Sequence, residues 1–261
     1  MPILTSVRNP LIKEVRRAIL KGTTTAGGLC VAESFHLLEE ALRSDCQVEA
    51  IFVSESVRTA VENHVRGLRH TGVFVLPDAL FNSISATESS QGVIALVKPP
   101  QWTLDQLFRG QALVVVLDGI QDPGNAGALI RAGEAFGATG VGCLKGSVNP
   151  YNPKCVRATA GSIFRMPVAA AIDERLLLTA VEQRKMEMYA LMPKAALELG
   201  ECNLTRKCAL IVGSEGHGVH ERLRAKAIDV RIPTVGVESL NAAMAGGIAL
   251  YQARKQRMAA S

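Results

Sequence analysis

No apolar run in this 261-residue chain approaches the roughly 20 residues that a membrane-spanning helix needs; stretches such as 112–117 are among the longest. The N-terminus lacks the apolar core of a signal peptide, so the expected location is the cytoplasm and no membrane partner is expected. The six cysteines, at positions 30, 46, 143, 155, 202 and 208, include no CxxC pair and sit in ordinary apolar or turn contexts. This argues against both a zinc site and a disulfide framework. His217 and His220 lie three apart with no obvious third ligand near them, so no metal is expected. Aromatic residues make up only 4% of the chain, with one tryptophan, and there is no internal repeat or low-complexity segment. With 48% hydrophobic residues and 23 glycines, the composition is that of a globular, alanine-rich α/β protein.

The charge is unevenly placed. Residues 1–107 hold 10 Lys and Arg against 11 Asp and Glu, whereas 108–261 hold 19 against 13, so the net +5 belongs to the second half. One basic cluster nevertheless falls early. Arg8, Lys13, Arg16, Arg17 and Lys21 outnumber Glu14 on a stretch whose Leu11, Ile12, Val15 and Ile19 follow helical spacing. Such a face is either a solvated helix surface or a surface that meets phosphates.

Apolar periodicity divides the chain in two. Strands are expected at 29–32, 50–54, 73–76 and 92–97, with helices at 35–42 and 59–68. Residues 98–107, with two prolines and the tryptophan, read as a linker. From there strands at 112–117, 141–144, 167–171, 188–191, 208–212 and 230–232 alternate with helices at 125–136, 154–160, 176–185, 219–226 and 240–257. That alternation argues for a parallel sheet covered by helices.

Three loops in the second half carry chemistry. Asp122-Pro123-Gly124 is strong turn chemistry, and Asn125 is suited to cap the following helix, whose only basic residue is Arg131. Gly213-Ser-Glu-Gly-His-Gly218 invites comparison with a dinucleotide fingerprint but puts Glu215 where a glycine must let backbone approach a pyrophosphate. A carboxylate there repels phosphate, which disfavours NAD and nucleoside triphosphates. A ligand with hydroxyls, an adenine and a positive centre is tolerated, which describes S-adenosylmethionine. Ser214 directly follows Gly213, so there is no nucleophile elbow. In the third loop Ser239 can cap a last helix whose Ala242, Ala245, Gly246 and Ala249 leave one side almost without bulk, so something packs close to it.

The segments DPGNAGALIRAGEAFG, IVGSEGHGV and IPTVGVESLNAAMAGGIALY resemble, in order and spacing, the three signature motifs of the SpoU (TrmH-like) family of RNA ribose 2′-O-methyltransferases in the SPOUT superfamily. The segment 152–161 is similar to what lies between the family's first two motifs, and the first hundred residues look like an L30e-type RNA-binding domain. The resemblance implies an α/β chain with an L30e-like RNA substrate-binding domain at 1–100 and a trefoil-knotted methyltransferase domain at 108–261, knots being otherwise almost absent from proteins. It implies S-adenosylmethionine as cofactor, rRNA or tRNA as substrate, and a homodimer whose interface or knot covers the small-sided last helix. On that basis Gly213, Glu215 and Gly218 shape one side of the cofactor pocket, and Ile232, Thr234, Ser239 and Leu240 the other. Asn125, Arg131 and Asn241 stand nearest the reacting ribose, with Glu215 beside them. Arg8, Lys13, Arg16, Arg17, Lys154 and Arg157 meet RNA, and Lys145 and Arg165 are further candidates for phosphate contacts.

This chain has Thr234 where the family often has methionine, and Ala243 where serine is common. In the first domain, Ala32-Glu33-Ser34 replaces a frequent Glu-Gly pairing. Arg131 is the residue to which the resemblance assigns activation of the hydroxyl, yet a guanidinium is a poor base. Either it loses its proton transiently, or it clamps the adjacent phosphate while Glu215 or water takes the proton. The rival readings are a non-catalytic RNA-binding protein on the same fold and a base methyltransferase on a related knotted fold.

Overall fold

The computed structural model describes every residue except 66, 67, 69, 88, 89 and 261. The chain forms two compact units, one of 1–100 with 151–165 and one of 101–150 with 166–261.

The first unit opens with α1 (Pro10–Lys21). Its start is set by Asn9, whose side chain accepts from the Leu11 amide, and by Pro10 in the first turn, where a missing N–H costs nothing. Gly22 ends it in the left-handed conformation. Then follow β1 (Cys30–Glu33), α2 (Phe35–Arg43), β2 (Val48–Ser54), α3 (Arg58–Val65), β3 (Gly72–Leu76), the short α4 (Asp78–Asn82) and β4 (Val93–Val97). The sheet order is β1-β4-β2-β3, antiparallel except for the β2–β3 pair. Ile12, Val15 and Ala18 of α1 enter the core with Phe52, Phe81 and Leu96. The helix expected at 59–68 ends within the described residues at Val65, and positions 66 and 67 of that expectation lie outside them. The Glu33 carboxylate, nearly buried, accepts from the Thr87 hydroxyl (2.8 Å) and the Ala86 amide (2.9 Å), pinning that loop to β1.

The second unit contains β5 (Leu113–Asp118), α5 (Pro123–Phe136) and β6 (Gly140–Leu144). The chain then forms α6 (Pro153–Ala158), which packs on β1 in the first unit, before returning through β7 (Val168–Ile172), α7 (Glu174–Gln183) and β8 (Glu187–Leu191). It ends with β9 (Leu197–Glu198), β10 (Cys208–Gly213), α8 (Glu221–Arg224), β11 (Ile228–Arg231) and α9 (Ala242–Ala259). All pairings are parallel, in the order β7-β6-β5-β10-β8-β11-β9. Residues 113–117 and 208–212 are wholly buried, as continuous apolar runs are in a parallel sheet covered on both faces. The chain moves outward from β5 to β7 and later inserts β10 between β5 and β8. Loops leaving the carboxyl ends of these strands therefore border a crevice, the position where open parallel sheets take ligands.

The linker reading of 98–107 gives way at its far end. Leu104–Phe108 forms a 3-10 turn, and Leu107, with no exposed surface, packs so closely on β6 that a Cβ at Gly140 would collide with it. Apolar content at 104, 107 and 108 outweighs the prolines before it. The expected helix at 219–226 is shorter, at Glu221–Arg224. Burial pushes the Cys30 and Cys143 thiols up to about 12, so neither is a ready nucleophile at neutral pH.

Candidate active site

Two caps differ from expectation: one difference frees the Asn125 side chain, and the other takes up one end of the Asn241 amide. Asp122, not Asn125, caps α5: its carboxylate accepts from the Asn125 amide at 2.7 Å. Asn125 thus sits inside the first turn with its side chain available. Asn241, not Ser239, caps α9, its Oδ1 accepting from the Ala243 (3.0 Å) and Met244 (3.2 Å) amides. Its Nδ2 remains to donate elsewhere.

These two amides converge on Glu215. Asn125 Nδ2 donates to Glu215 Oε1 at 2.8 Å, Asn241 Nδ2 to the same oxygen at 3.2 Å, and Asn241 Nδ2 also to Asn125 Oδ1 at 3.0 Å. One residue from each of the three loops therefore closes a triangle of hydrogen bonds, leaving Glu215 Oε2 outside it.

Glu215 rides on a loop whose course is set by small residues. Gly213 pairs in register with Asp118, and a Cβ on it would fall on the backbone of Gly218 and Val219. The Gly218 amide donates to the Ser214 carbonyl at 2.8 Å, and Gly218 takes a positive φ of 68°, which favours glycine. Asp118, only 2% exposed, accepts from the His220 amide at 2.7 Å and pairs with His220 Nδ1 at 2.6 Å. It ties the end of β5 to the end of this loop. The sequence offered a signal for it, an acid closing an apolar strand, that the motif reading passed over.

A cavity of about 490 Å³ lies beside the triangle, within the range of small-molecule sites. Gly213, Glu215, Gly218, Ile232, Thr234, Ser239 and Leu240, the residues expected around a cofactor, all line it. So do the unexpected Leu191, Met192, Pro193 and Lys194 from the end of β8, with His217 and Glu238. Apolar side chains of Val212, Val230 and Ile232 supply much of the wall. Thr234 turns its hydroxyl to the Val237 carbonyl at 3.0 Å.

Arg131 is not part of the triangle. It is exposed on α5, six residues and therefore about 9 Å along the axis from Asn125, and has no hydrogen-bond or ion-pair partner among the described residues. The small side of α9 faces inward: Gly246 leaves no room for a Cβ against Leu129 of α5, and Ala242, Ala249 and Ala253 are buried. Its other side exposes Met244, Ile248 and Tyr251.

The basic residues sort by partner. Arg8, Lys13, Arg16 and Arg17 are exposed around α1, and Lys154 and Arg157 on α6, without ion-pair partners among the described residues. Asn152, which caps α6, stands against Gly22 at the end of α1, so the two helices share one body. Lys145 instead pairs with Asp173 (3.0 Å), and Arg165 with Glu40, so their charges are offset within the fold. Among the described residues no cluster of three or more His, Cys, Asp or Glu could hold a metal ion, and no helix is long and apolar enough to cross a membrane.

Residues 112–251 match the model of the SpoU rRNA Methylase family, and residues 9–95 that of an MRM3-like substrate binding domain. The chain is 30% identical to the 23S rRNA (guanosine(2553)-2'-O)-methyltransferase RlmP of Bacillus subtilis, over 97% of this chain and 100% of that protein. It is also 30% identical to a tRNA/rRNA methyltransferase of Synechocystis, described as uncharacterized, over 99% of this chain and 95% of the relative. Among solved structures, the SpoU methyltransferase AviRb from Streptomyces viridochromogenes, in complex with AdoMet, superposes with a TM-score of 0.86 at 26% identity, covering 96% of this chain and 99% of that one.

Proposed function

The chain belongs to the SpoU rRNA Methylase family, and from that premise we propose that it transfers a methyl group from S-adenosylmethionine to a ribose 2′-hydroxyl of RNA, with rRNA as the favoured substrate class. The observation that carries this reading is the double membership of Glu215, which lines the cavity and anchors both asparagine amides. A methyl donor in the cavity and an acceptor at the asparagines would meet across one side chain.

The cavity suits that donor. Its apolar wall accepts an adenine, its carboxylates favour a positive centre, and Glu215 on the loop opposes a pyrophosphate. When bound, S-adenosylmethionine supplies an electrophilic methyl carbon. The chain's own task is to align the ribose hydroxyl, and fixed alignment supplies a large part of the rate. The asparagine amides hold Glu215 in one position, and Arg131 either accepts the proton or clamps the neighbouring phosphate. Calorimetric titration of the protein with S-adenosylmethionine is expected to give a Kd between about 1 μM and 1 mM. An absence of heat at millimolar cofactor would remove the enzyme reading.

We further propose that the loops after β10 and β11 are knotted, and that the working unit is a homodimer located in the cytoplasm. Two features support the dimer: the exposed Met244, Ile248 and Tyr251 lie on one side of α9, and Arg131 has no hydrogen-bond or ion-pair partner among the described residues. Tyr251→Glu is expected to shift the sedimentation coefficient from dimer to monomer; a wild-type monomer would contradict the proposal.

RNA is assigned to the basic face of α1 and to Lys154 and Arg157. Binding of RNA to unpaired cations releases counterions, so its salt slope counts them. Replacing Lys13, Arg16 and Arg17 together by alanine is expected to flatten the plot of log K against log salt by about 2, from about 0.7 per single-strand contact. An unchanged slope would place the RNA elsewhere.

A further inference from the structure

The charges on the cavity wall are few. Among the described lining residues the carboxylate and ammonium side chains are those of Glu215, Glu238 and Lys194, with the His217 imidazole beside them. Glu215 is held at Oε1 by two amides and so directed toward the asparagines. Glu238 and Lys194 are both exposed, with no hydrogen-bond or ion-pair partner for either side chain among the described residues. Lys194 stands on a turn held at two points, by the Met192 amide donating to the Val230 carbonyl (2.9 Å) and the Ala195 amide to the Met192 carbonyl (3.1 Å). The ammonium is therefore presented from a fixed backbone.

S-adenosylmethionine carries three charges at neutral pH: a sulfonium, an α-ammonium and a carboxylate. The first two suit a wall bearing two glutamates. The carboxylate does not, because like charges brought together in a confined site repel. One cation on the wall can offset that repulsion. Resting on the reading of the cavity as a cofactor site, we propose that Lys194 is the counter-ion of the cofactor's carboxylate and makes the pocket selective for nucleosides with an intact amino-acid end. Glu238 remains for the α-ammonium. Lys194 was invisible to the motif reading because it belongs to no motif; it reaches the cavity only because β8 is the neighbour of β10 in the sheet.

The test is titration calorimetry of the full-length protein with S-adenosylmethionine, S-adenosylhomocysteine and 5′-methylthioadenosine, the last lacking the amino-acid end. Lys194→Ala is expected to weaken binding of the first two about tenfold, as loss of a charge-assisted hydrogen bond does, while leaving methylthioadenosine within about twofold. Lys194→Arg, which keeps the charge, is expected to recover most of the loss. Equal weakening of all three ligands would make Lys194 a structural residue and overturn the proposal. Unchanged S-adenosylmethionine affinity with weaker RNA binding would overturn it in favour of a phosphate contact. Wild-type protein that binds none of the three would overturn the cofactor reading itself, and this assignment with it.

Discussion

Gly213→Ala is expected to abolish cofactor binding and to lower stability by about 3 kcal/mol, near the upper end for forcing atoms into a packed interior. The added methyl would meet backbone, the Gly218 carbonyl group and the Val219 nitrogen, and no side chain could rotate away. The loop cannot simply retreat, because its far end is tied through the His220 amide to the buried Asp118 carboxylate. Gly213 itself is fixed in the sheet, in register with Asp118. Relief must therefore come from displacing Gly218, and with it the cavity wall that both glycines line. Thermal unfolding and S-adenosylmethionine titration of the variant check the two parts separately. A variant with unchanged midpoint and unchanged affinity would show that this loop does not build the pocket.

Arg131→Ala is expected to slow single-turnover methylation by between about 10² and 10⁴, the span of a group that moves or positions a proton, with S-adenosylmethionine affinity unchanged. The separation follows from position. Arg131 does not line the cavity, stands beyond the asparagine triangle on α5, and has no partner among the described residues to lose. Arg131→Lys divides its two possible roles. A lysine keeps the positive charge but not the forked geometry that grips phosphate. An unchanged pH profile with weaker RNA binding assigns Arg131 to the phosphate and rejects it as base; a displaced profile assigns it to the proton. A variant as fast as wild type would exclude Arg131 from the reaction.

The sheet of the second unit was legible because buried parallel strands are written as unbroken apolar runs, and 113–117 and 208–212 are such runs. The three loops were legible because a parallel sheet places its ligands at strand ends and because their motifs are specific. The caps were not. Asp122 and Asn125 are both good capping residues three positions apart, as are Ser239 and Asn241 two apart, and only the path of the chain decides between them. That decision matters, since each asparagine side chain can serve the site only through groups that capping leaves free.

Long-range pairing was likewise hidden. Lys145 and Arg165 look like the other basic residues until Asp173 and Glu40 are brought beside them. The attachment of residues 151–165 to the first unit follows from the packing of α6 on β1 and of Asn152 against Gly22, contacts between residues more than a hundred positions apart. The β8 side of the cavity, with Lys194, depends on strand order, which local periodicity does not encode.

A methyl group delivered from a cavity that shares Glu215 with two asparagines is expected on a ribose oxygen. Incubating the protein with rRNA and methyl-labelled S-adenosylmethionine, digesting the RNA to nucleosides and identifying the labelled species by mass spectrometry tests this most directly. Label is expected only on a 2′-O-methylnucleoside, and it is expected to be lost in Arg131→Ala. Label on a nucleobase, or unlabelled RNA despite bound cofactor, would contradict transfer to the ribose.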